Sequence, residues 1–293
     1  MNSFIRLIYF IFKWMPLWLV RLLGRMIGGV LWLIDARSVK VNRKNIDLCW
    51  PQLNQQQRCT LTKATTYEMA ITGLELFKVW SSSPGWMLSR IQHIHNEALY
   101  SAAIEDNKAI VLVAPHLGNW EVVGLYCALQ TQMTSMYAPI KQKALDDIVK
   151  HSREASGANL VPTNVRGVMA MLKALKKGEQ VGILPDQKAD KGSGVYSPFF
   201  GNTAYTMTLV NTIAKKSDAE LIMAFAERVK GGWDLHFQAP DPAVYEDDLQ
   251  AAVDGLNRSV EQCVKVCPAQ YQWEYKRFSG QPDGSDPYAN LNN

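Results

Sequence analysis

Between Phe4 and Ile34, 23 of 31 positions are hydrophobic, and the charges that interrupt them keep to one side. At about 100° per residue, Arg6, Lys13, Arg21 and Arg25 fall within a sector of roughly 120°. Pro16 breaks the phase, but each half retains its own basic side. The pattern predicts an amphipathic helical arm, with Trp14 and Trp18 on the apolar side. Two placements fit it: a helix lying in a membrane interface with its cations at the headgroups, or a helix packed on the protein with its arginines in solvent. A transmembrane span fits poorly. The uncharged runs are 7–12, 14–20 and 26–34, whereas a span needs roughly 18–20 largely apolar residues. Arg21 and Arg25 would also lie near mid-membrane at about 2.5–3.5 kcal/mol each. Lys13 interrupts the core that a signal peptide would need.

Beyond the arm, strand-like and helix-like segments alternate. Asn54–Trp80 reads as a long helix. Ala109–Ala114 is a continuous apolar run suited to a strand buried on both faces. A helix over Asn119–Gln130 follows, with Asn119 as its N-cap. Further strands are predicted at Ser135–Ile140, Asn159–Pro162, Gln180–Pro185, Glu220–Ala226 and Asp234–Gln238. Helices are predicted near Lys143–Ser156, Val165–Lys177, Tyr205–Lys216 and Leu249–Val266. Such alternation implies an α/β fold with a mostly parallel central sheet covered by helices. The expected organisation is an arm over residues 1–45, an α/β catalytic domain over 46–278 and a polar tail over 279–293.

Composition narrows the class. With 47% hydrophobic and 20% charged residues the chain has a real core and is not disordered. Five cysteines without metal spacing point to a reducing compartment rather than a disulfide framework. The net charge of +4 is unevenly held. Residues 1–45 carry eight basic residues and one acid, a net +7, which leaves −3 for the remainder. That distribution suits an anionic membrane surface. No basic–aromatic interleaving suggests nucleic acid, no dinucleotide or P-loop motif appears, and His93 and His95 lack companions for a metal site. Neither metal nor cofactor is expected.

By residue type, the segment that points to chemistry is Ala114-Pro115-His116-Leu117-Gly118-Asn119-Trp120-Glu121. It places His116 at the carboxyl end of a strand, where open α/β sheets form their ligand crevices. A histidine takes a proton from a hydroxyl when a carboxylate holds its other nitrogen. Five residues across a turn can bring Glu121 to that position; otherwise His116 is a surface histidine and Glu121 an ordinary first-turn acid. Backbone N–H groups of Gly118, Asn119 and Trp120 are candidate oxyanion donors. Arg153 reads either as a clamp for a phosphate or oxyanion, or as a helix-surface arginine. Asp186 either positions a substrate, holds a cation such as Arg153, or forms a turn after Pro185. Phe199 and Phe200 either line an acyl groove or plug the core.

In this order, several segments resemble the late lipid A acyltransferase family, whose members add lauroyl or myristoyl chains and carry an H-x4-E motif. The resemblance runs from the basic arm through Asn42–Pro51 to Pro115–Glu121, then Arg153 with Gly157, Gly182–Gln187, Phe199-Phe200-Gly201 and Gln272–Phe278. It implies a glycerolipid-acyltransferase-like fold. It further implies transfer of a fatty acyl group from acyl carrier protein to a hydroxyl of a membrane glycolipid, a lipid A precursor, at the cytoplasmic face of the inner membrane. His116 would be the general base, Glu121 its orienting partner, and Arg153 and Asp186 substrate contacts. No serine or cysteine stands beside His116 as a nucleophile, which favours direct transfer. The alternatives are another glycolipid or lysophospholipid O-acyltransferase (for instance one acting on mannosylated inositol lipid), an acyl-thioester hydrolase, and a non-catalytic membrane-binding protein.

Overall fold

The computed structural model describes residues 2–291, with side chains from Leu7 onward. Helices α1 (Asn2–Trp14) and α2 (Leu17–Leu33) meet at a bend of 119°. Pro16, at the N-cap of α2, has no N–H to continue the first helix. Helix α3 (Arg37–Cys49) follows, then α4 (Gln55–Ser81), which starts on a reciprocal Asn54–Gln57 capping box. A short α5 (Pro84–Leu88) leads into the alternating part of the chain.

That part runs β1 (Ile91–His95), α6 (Glu97–Glu105), β2 (Ile110–Val113), α7 (Trp120–Gln130), β3 (Met133–Tyr137), α8 (Lys143–Ala155), β4 (Ala158–Pro162), α9 (Val165–Leu175) and β5 (Gln180–Ile183). A hairpin of β6 (Gly194–Phe199) and β7 (Asn202–Met207) comes next, then α10 (Leu209–Ser217), β8 (Glu220–Val229), β9 (Gly232–Gln238) and α11 (Leu249–Val266).

Seven strands form one sheet in the order β1-β9-β8-β2-β5-β3-β4. Every neighbouring pair is parallel except the β8–β9 hairpin, so the expected mostly parallel α/β sheet is the one observed. Strand β2 is buried throughout because helices cover both faces. Val111 and Val113 point into one core with α9, α10 and α11, whereas Ile110 and Leu112 point into the other with α6 and α7. The β6–β7 hairpin takes residues up to Met207, so the helix predicted from Tyr205 begins at Leu209.

The arm is tied to this domain more firmly than its composition suggests. Gly24 and Gly28 of α2 are buried against α4, where an added Cβ would lie 2.6 Å from the Ile71 Cα and 2.8 Å from the Tyr67 Cα respectively. The α3 helix is part of the domain: buried Asn45 donates to the carbonyls of Trp273 and Tyr275 at 2.6 and 2.9 Å. The polar tail is anchored as well, since fully buried Tyr288 donates to the Asn45 Oδ1 at 2.5 Å.

One basic residue of the predicted headgroup-facing stripe is redirected inward. Arg21 donates to Glu75 of α4 at 2.6 Å and to the carbonyls of Val229 and Gly232 at 2.5 and 2.7 Å. Glu75 is fully buried; it also accepts from Arg228, from the Trp233 indole and from the Asn119 amide. Arg228 in turn pairs with Glu68. Arg21 is therefore a structural ion-pair partner and not a headgroup contact, because an unpaired Glu75 in the core would be costly. Lys13 and Arg25 remain exposed, as do Trp14 and Trp18. The Arg6 side chain lies outside the described residues.

Two predictions follow from this packing. Gly24→Val should destabilise the protein by about 1–3 kcal/mol in chemical denaturation, the usual cost of overpacking. Gly73→Ala, which meets open space on the same α4, should be neutral or gain up to about 1 kcal/mol; equal losses in both would contradict close α2–α4 packing. The second concerns Glu75. Burial alone would raise its pKa, but Arg228 and Arg21 outweigh burial and hold it below the ordinary value. Its stabilisation is thus complete above the unfolded-state value of about 4.3 and is lost as pH falls through the lower folded-state value. Glu75→Gln should lower the melting temperature at pH 7 and flatten its fall on acidification; a curve parallel to wild type would contradict this linkage.

Candidate active site

Strands β2 and β5 lie side by side, parallel, with Val113 opposite Ile183. Both continue with the same kind of tripeptide, Ala114-Pro115-His116 and Leu184-Pro185-Asp186. Ala114 carries the pairing one residue further by donating to the Ile183 carbonyl at 2.9 Å. The prolines, lacking N–H groups, end the pairing. His116 and Asp186 thereby emerge three residues beyond matched strand ends.

The two side chains meet directly. His116 Nδ1 lies 2.8 Å from Asp186 Oδ1, and the His116 backbone N–H donates to Asp186 Oδ2 at 2.8 Å. Asp186 is only 4% exposed. Burial would raise its pKa, but the His116 ring and N–H, with the Arg277 charge, hold it below the ordinary value. An ionised carboxylate can only accept, so Nδ1 carries a proton, and in the neutral ring Nε2 presents its lone pair. Gln187 Nε2 approaches that Nε2 at 3.3 Å, and the Trp120 ring packs edge-on against the imidazole at a centroid separation of 4.9 Å.

The expected His116–Glu121 contact is therefore replaced by His116–Asp186. Glu121, buried in the first turn of α7, faces α8 and pairs with Arg153, whose Nε donates at 3.1 Å and whose Nη2 donates to the other oxygen. Burial would raise the Glu121 pKa, but the Arg153 charge and hydrogen bonds hold it low. The Arg153 guanidinium also stacks over Tyr137 at 5.4 Å. Arg153 is thus held by Glu121 and not by Asp186. The physical reason is geometric: the turn after His116 rotates the helix so that its first acid points across to α8.

Gly118 makes that turn possible. Its φ of +61° is in the left-handed region, and a Cβ there would lie 2.0 Å from the Ala226 carbonyl oxygen. The Gly118 N–H donates to the Gln270 carbonyl at 3.0 Å and the Asn119 N–H to the Ala226 carbonyl at 2.9 Å. Two of the three candidate oxyanion donors are consequently engaged in holding the turn. Asn119 occupies the N-cap position of α7 without a side-chain cap bond; its amide goes to Glu75 at 3.2 Å instead. The buried ion-pair network of α2 and α4 therefore reaches the residue that follows the turn.

A small open-mouthed pocket, of about 60 Å³, adjoins the site. Trp120, Leu125, Met133, Met136 and Ile183 supply its apolar lining, and Glu121 and Arg153 its polar wall. Phe199 and Phe200 do not line it. Phe199 is fully buried against Tyr271 and Phe278, and Phe200 packs on Trp50 and Trp273, so both belong to the core beneath the closing segment. Sequence reasoning also passed over Gln187 and Glu274. Gln187 follows Asp186 directly, which was the available signal. Glu274 has its carboxyl pushed up to about 7 by burial, and nothing in its spacing marked it.

The family model for bacterial lipid A biosynthesis acyltransferases matches residues 2–279. A lipid A biosynthesis lauroyltransferase of Escherichia coli K12 is 27% identical over 270 residues, which cover 89% of this chain and 86% of that protein. A lipid A biosynthesis palmitoleoyltransferase of the same organism is 26% identical over 269 residues, covering 89% and 85%. A lipid A biosynthesis acyltransferase of Haemophilus influenzae is 28% identical over 252 residues, covering 83% and 76%. The match extends across the His116 turn, Arg153 and Asp186, and the chain belongs to the bacterial lipid A biosynthesis acyltransferase family.

Proposed function

We propose that this enzyme transfers a fatty acyl group from an acyl-carrier-protein thioester to a hydroxyl of a lipid A precursor, with His116 as general base. The observation that carries the reading is the His116 ring, held through Nδ1 by buried Asp186 beside a small, mostly apolar pocket. The acceptor hydroxyl displaces Gln187 from Nε2 and gives its proton to the imidazole as its oxygen attacks the thioester carbon. Asp186 stabilises the imidazolium that results. The tetrahedral oxyanion then collapses, the C–S bond breaks, and the carrier thiolate takes the proton back. With the Gly118 and Asn119 N–H groups engaged, the Trp120 N–H at the positive end of α7 is the donor left on this turn for the oxyanion. The acyl chain lies in the pocket between Trp120 and Met133, and the Arg153–Glu121 pair fixes its polar mouth.

The exposed apolar face of the arm supports a membrane location for this chemistry. Trp18, Leu22, Met26 and Val30 recur every four residues on α2 and are exposed, with Trp14 and Leu33 extending the same apolar character at 72% and 83% exposure. No single helix among the described residues is long and apolar enough to cross a bilayer. A bent pair with one apolar face suits the interface, with Trp14 and Trp18 at headgroup level and Lys13 and Arg25 toward anionic lipid. We place the enzyme on the cytoplasmic face of the inner membrane, where the acyl carrier donor would be available.

The test is thiol release from acyl carrier protein thioester by the purified full-length enzyme, with and without a lipid A precursor. Release should depend on the acceptor, and His116→Ala and Asp186→Asn should each lower turnover by at least about a hundredfold. Equal release without acceptor would make the enzyme a hydrolase, and near-normal turnover in folded Asp186→Asn would remove the dyad from the mechanism.

A further inference from the structure

A second cavity, of about 680 Å³ and open to solvent, lies where α2 meets the β8–β9 hairpin. Five cations line it: Arg21 and Arg25 from α2, Arg90 before β1, Arg228 from β8 and Lys230 from the hairpin turn. Glu68 is the only acid in the lining. Arg21 and Arg228 are neutralised by Glu75 and Glu68 and form a rigid floor. Arg25, Arg90 and Lys230 stand exposed above it with no carboxylate at ion-pair distance among the described residues. The cavity therefore holds about three uncompensated positive charges around a concave space.

Its position says what those charges face. Trp18 and Trp86 flank the same cavity. Trp18 is also part of the exposed apolar stripe that continues through Leu22 and Met26. Arg90 additionally stacks over the Trp86 ring at 5.8 Å. A ligand here meets apolar surface and indole rings on one side and a converging set of guanidinium and ammonium groups on the other. Guanidinium forks suit tetrahedral phosphate oxygens, and indoles settle at the depth where headgroups begin. Floor and walls come from elements far apart in sequence, so the arrangement depends on the folded domain and is not a basic run on one helix.

We propose that this cavity is a binding site for the phosphate of a membrane lipid headgroup, separate from the His116–Asp186 site. Arg25, Arg90 and Lys230 contact the phosphate, while Trp18 and Trp86 lie against the headgroup's apolar border. The inference rests on the reading that the α1–α2 face lies on a membrane. Two lipids present the same chemistry there, a bulk anionic phospholipid and the sugar phosphate of the glycolipid acceptor. Bound phosphate would set the height and rotation of the domain above the bilayer, since the cavity floor is fixed through Glu75 to the residue following the catalytic turn.

Vesicle binding by the full-length protein tests this. The vesicles are phosphatidylcholine alone, phosphatidylcholine with phosphatidylglycerol, and phosphatidylcholine with a lipid A precursor in its phosphorylated or dephosphorylated form. The triple variant R25Q/R90Q/K230Q is compared with K40Q/K44Q/K63Q, which removes equal charge from α3 and α4. The cavity variant should lose about tenfold or more in affinity for phosphate-bearing anionic vesicles, the matched control no more than about twofold, and neither should change on phosphatidylcholine alone. Loss on phosphatidylglycerol assigns the phospholipid, and loss confined to the phosphorylated glycolipid assigns the acceptor. Equal losses in the two triples, or no loss on either phosphate-bearing vesicle, would overturn the site. Wild-type protein that ignores every vesicle would overturn the membrane reading itself, and the site with it.

Discussion

Asp186 accepts two hydrogen bonds from a single residue, one from the His116 backbone and one from its ring. A buried carboxylate can do so only if the two chain segments arrive together, and the parallel pairing of β2 with β5 ensures that they do. Register carries Val113 to Ile183, and each strand then leaves the sheet through a proline. Elsewhere the site accommodates this pair. Gly118 lets the chain turn under Ala226, α7 begins at Trp120, and Glu121 is carried round to Arg153. His116 and the polar mouth of the apolar pocket thus hang from one strand-end contact.

A second buried carboxylate joins this site to the arm. Glu75 accepts from Arg21 on α2, from Arg228 and Trp233 on the β8–β9 hairpin and from Asn119 beside the turn. Burying three charges together is seldom a net gain over apolar packing, so the network is better understood as fixing relative placement. It holds an apolar helical face at a defined position relative to His116. On the proposal that His116 is the base, that distance sets which hydroxyl of a lipid acceptor can reach it.

Much of the fold was legible because its signals are local. The apolar run of β2 could only be buried on both faces, and the helix-forming residues of α4 and the amphipathic period of α11 marked them to within a residue or two. The β6–β7 hairpin was not, because β6 contains Gly194 and Pro198, which disfavour a strand, and the pair takes its contacts from α11 and Arg277. Arg21 read as a membrane-facing cation since its partner lies 54 residues away. Glu121 attracted attention because it sits five residues from His116, whereas Asp186 is 70 residues distant and becomes a neighbour only through the strand order. The matched Ala-Pro-His and Leu-Pro-Asp strand ends carried that information, but only for a reader who already knew that β2 and β5 pair.

Nitrogen-15 NMR of histidine-labelled protein tests most directly whether Asp186 or Glu121 orients the base. The structure predicts that neutral His116 carries its proton on Nδ1, with Nε2 bare. That tautomer should persist in Glu121→Gln and be lost or mixed with the other in Asp186→Asn. A His116 signal that changes tautomer in Glu121→Gln and stays fixed in Asp186→Asn would contradict the account.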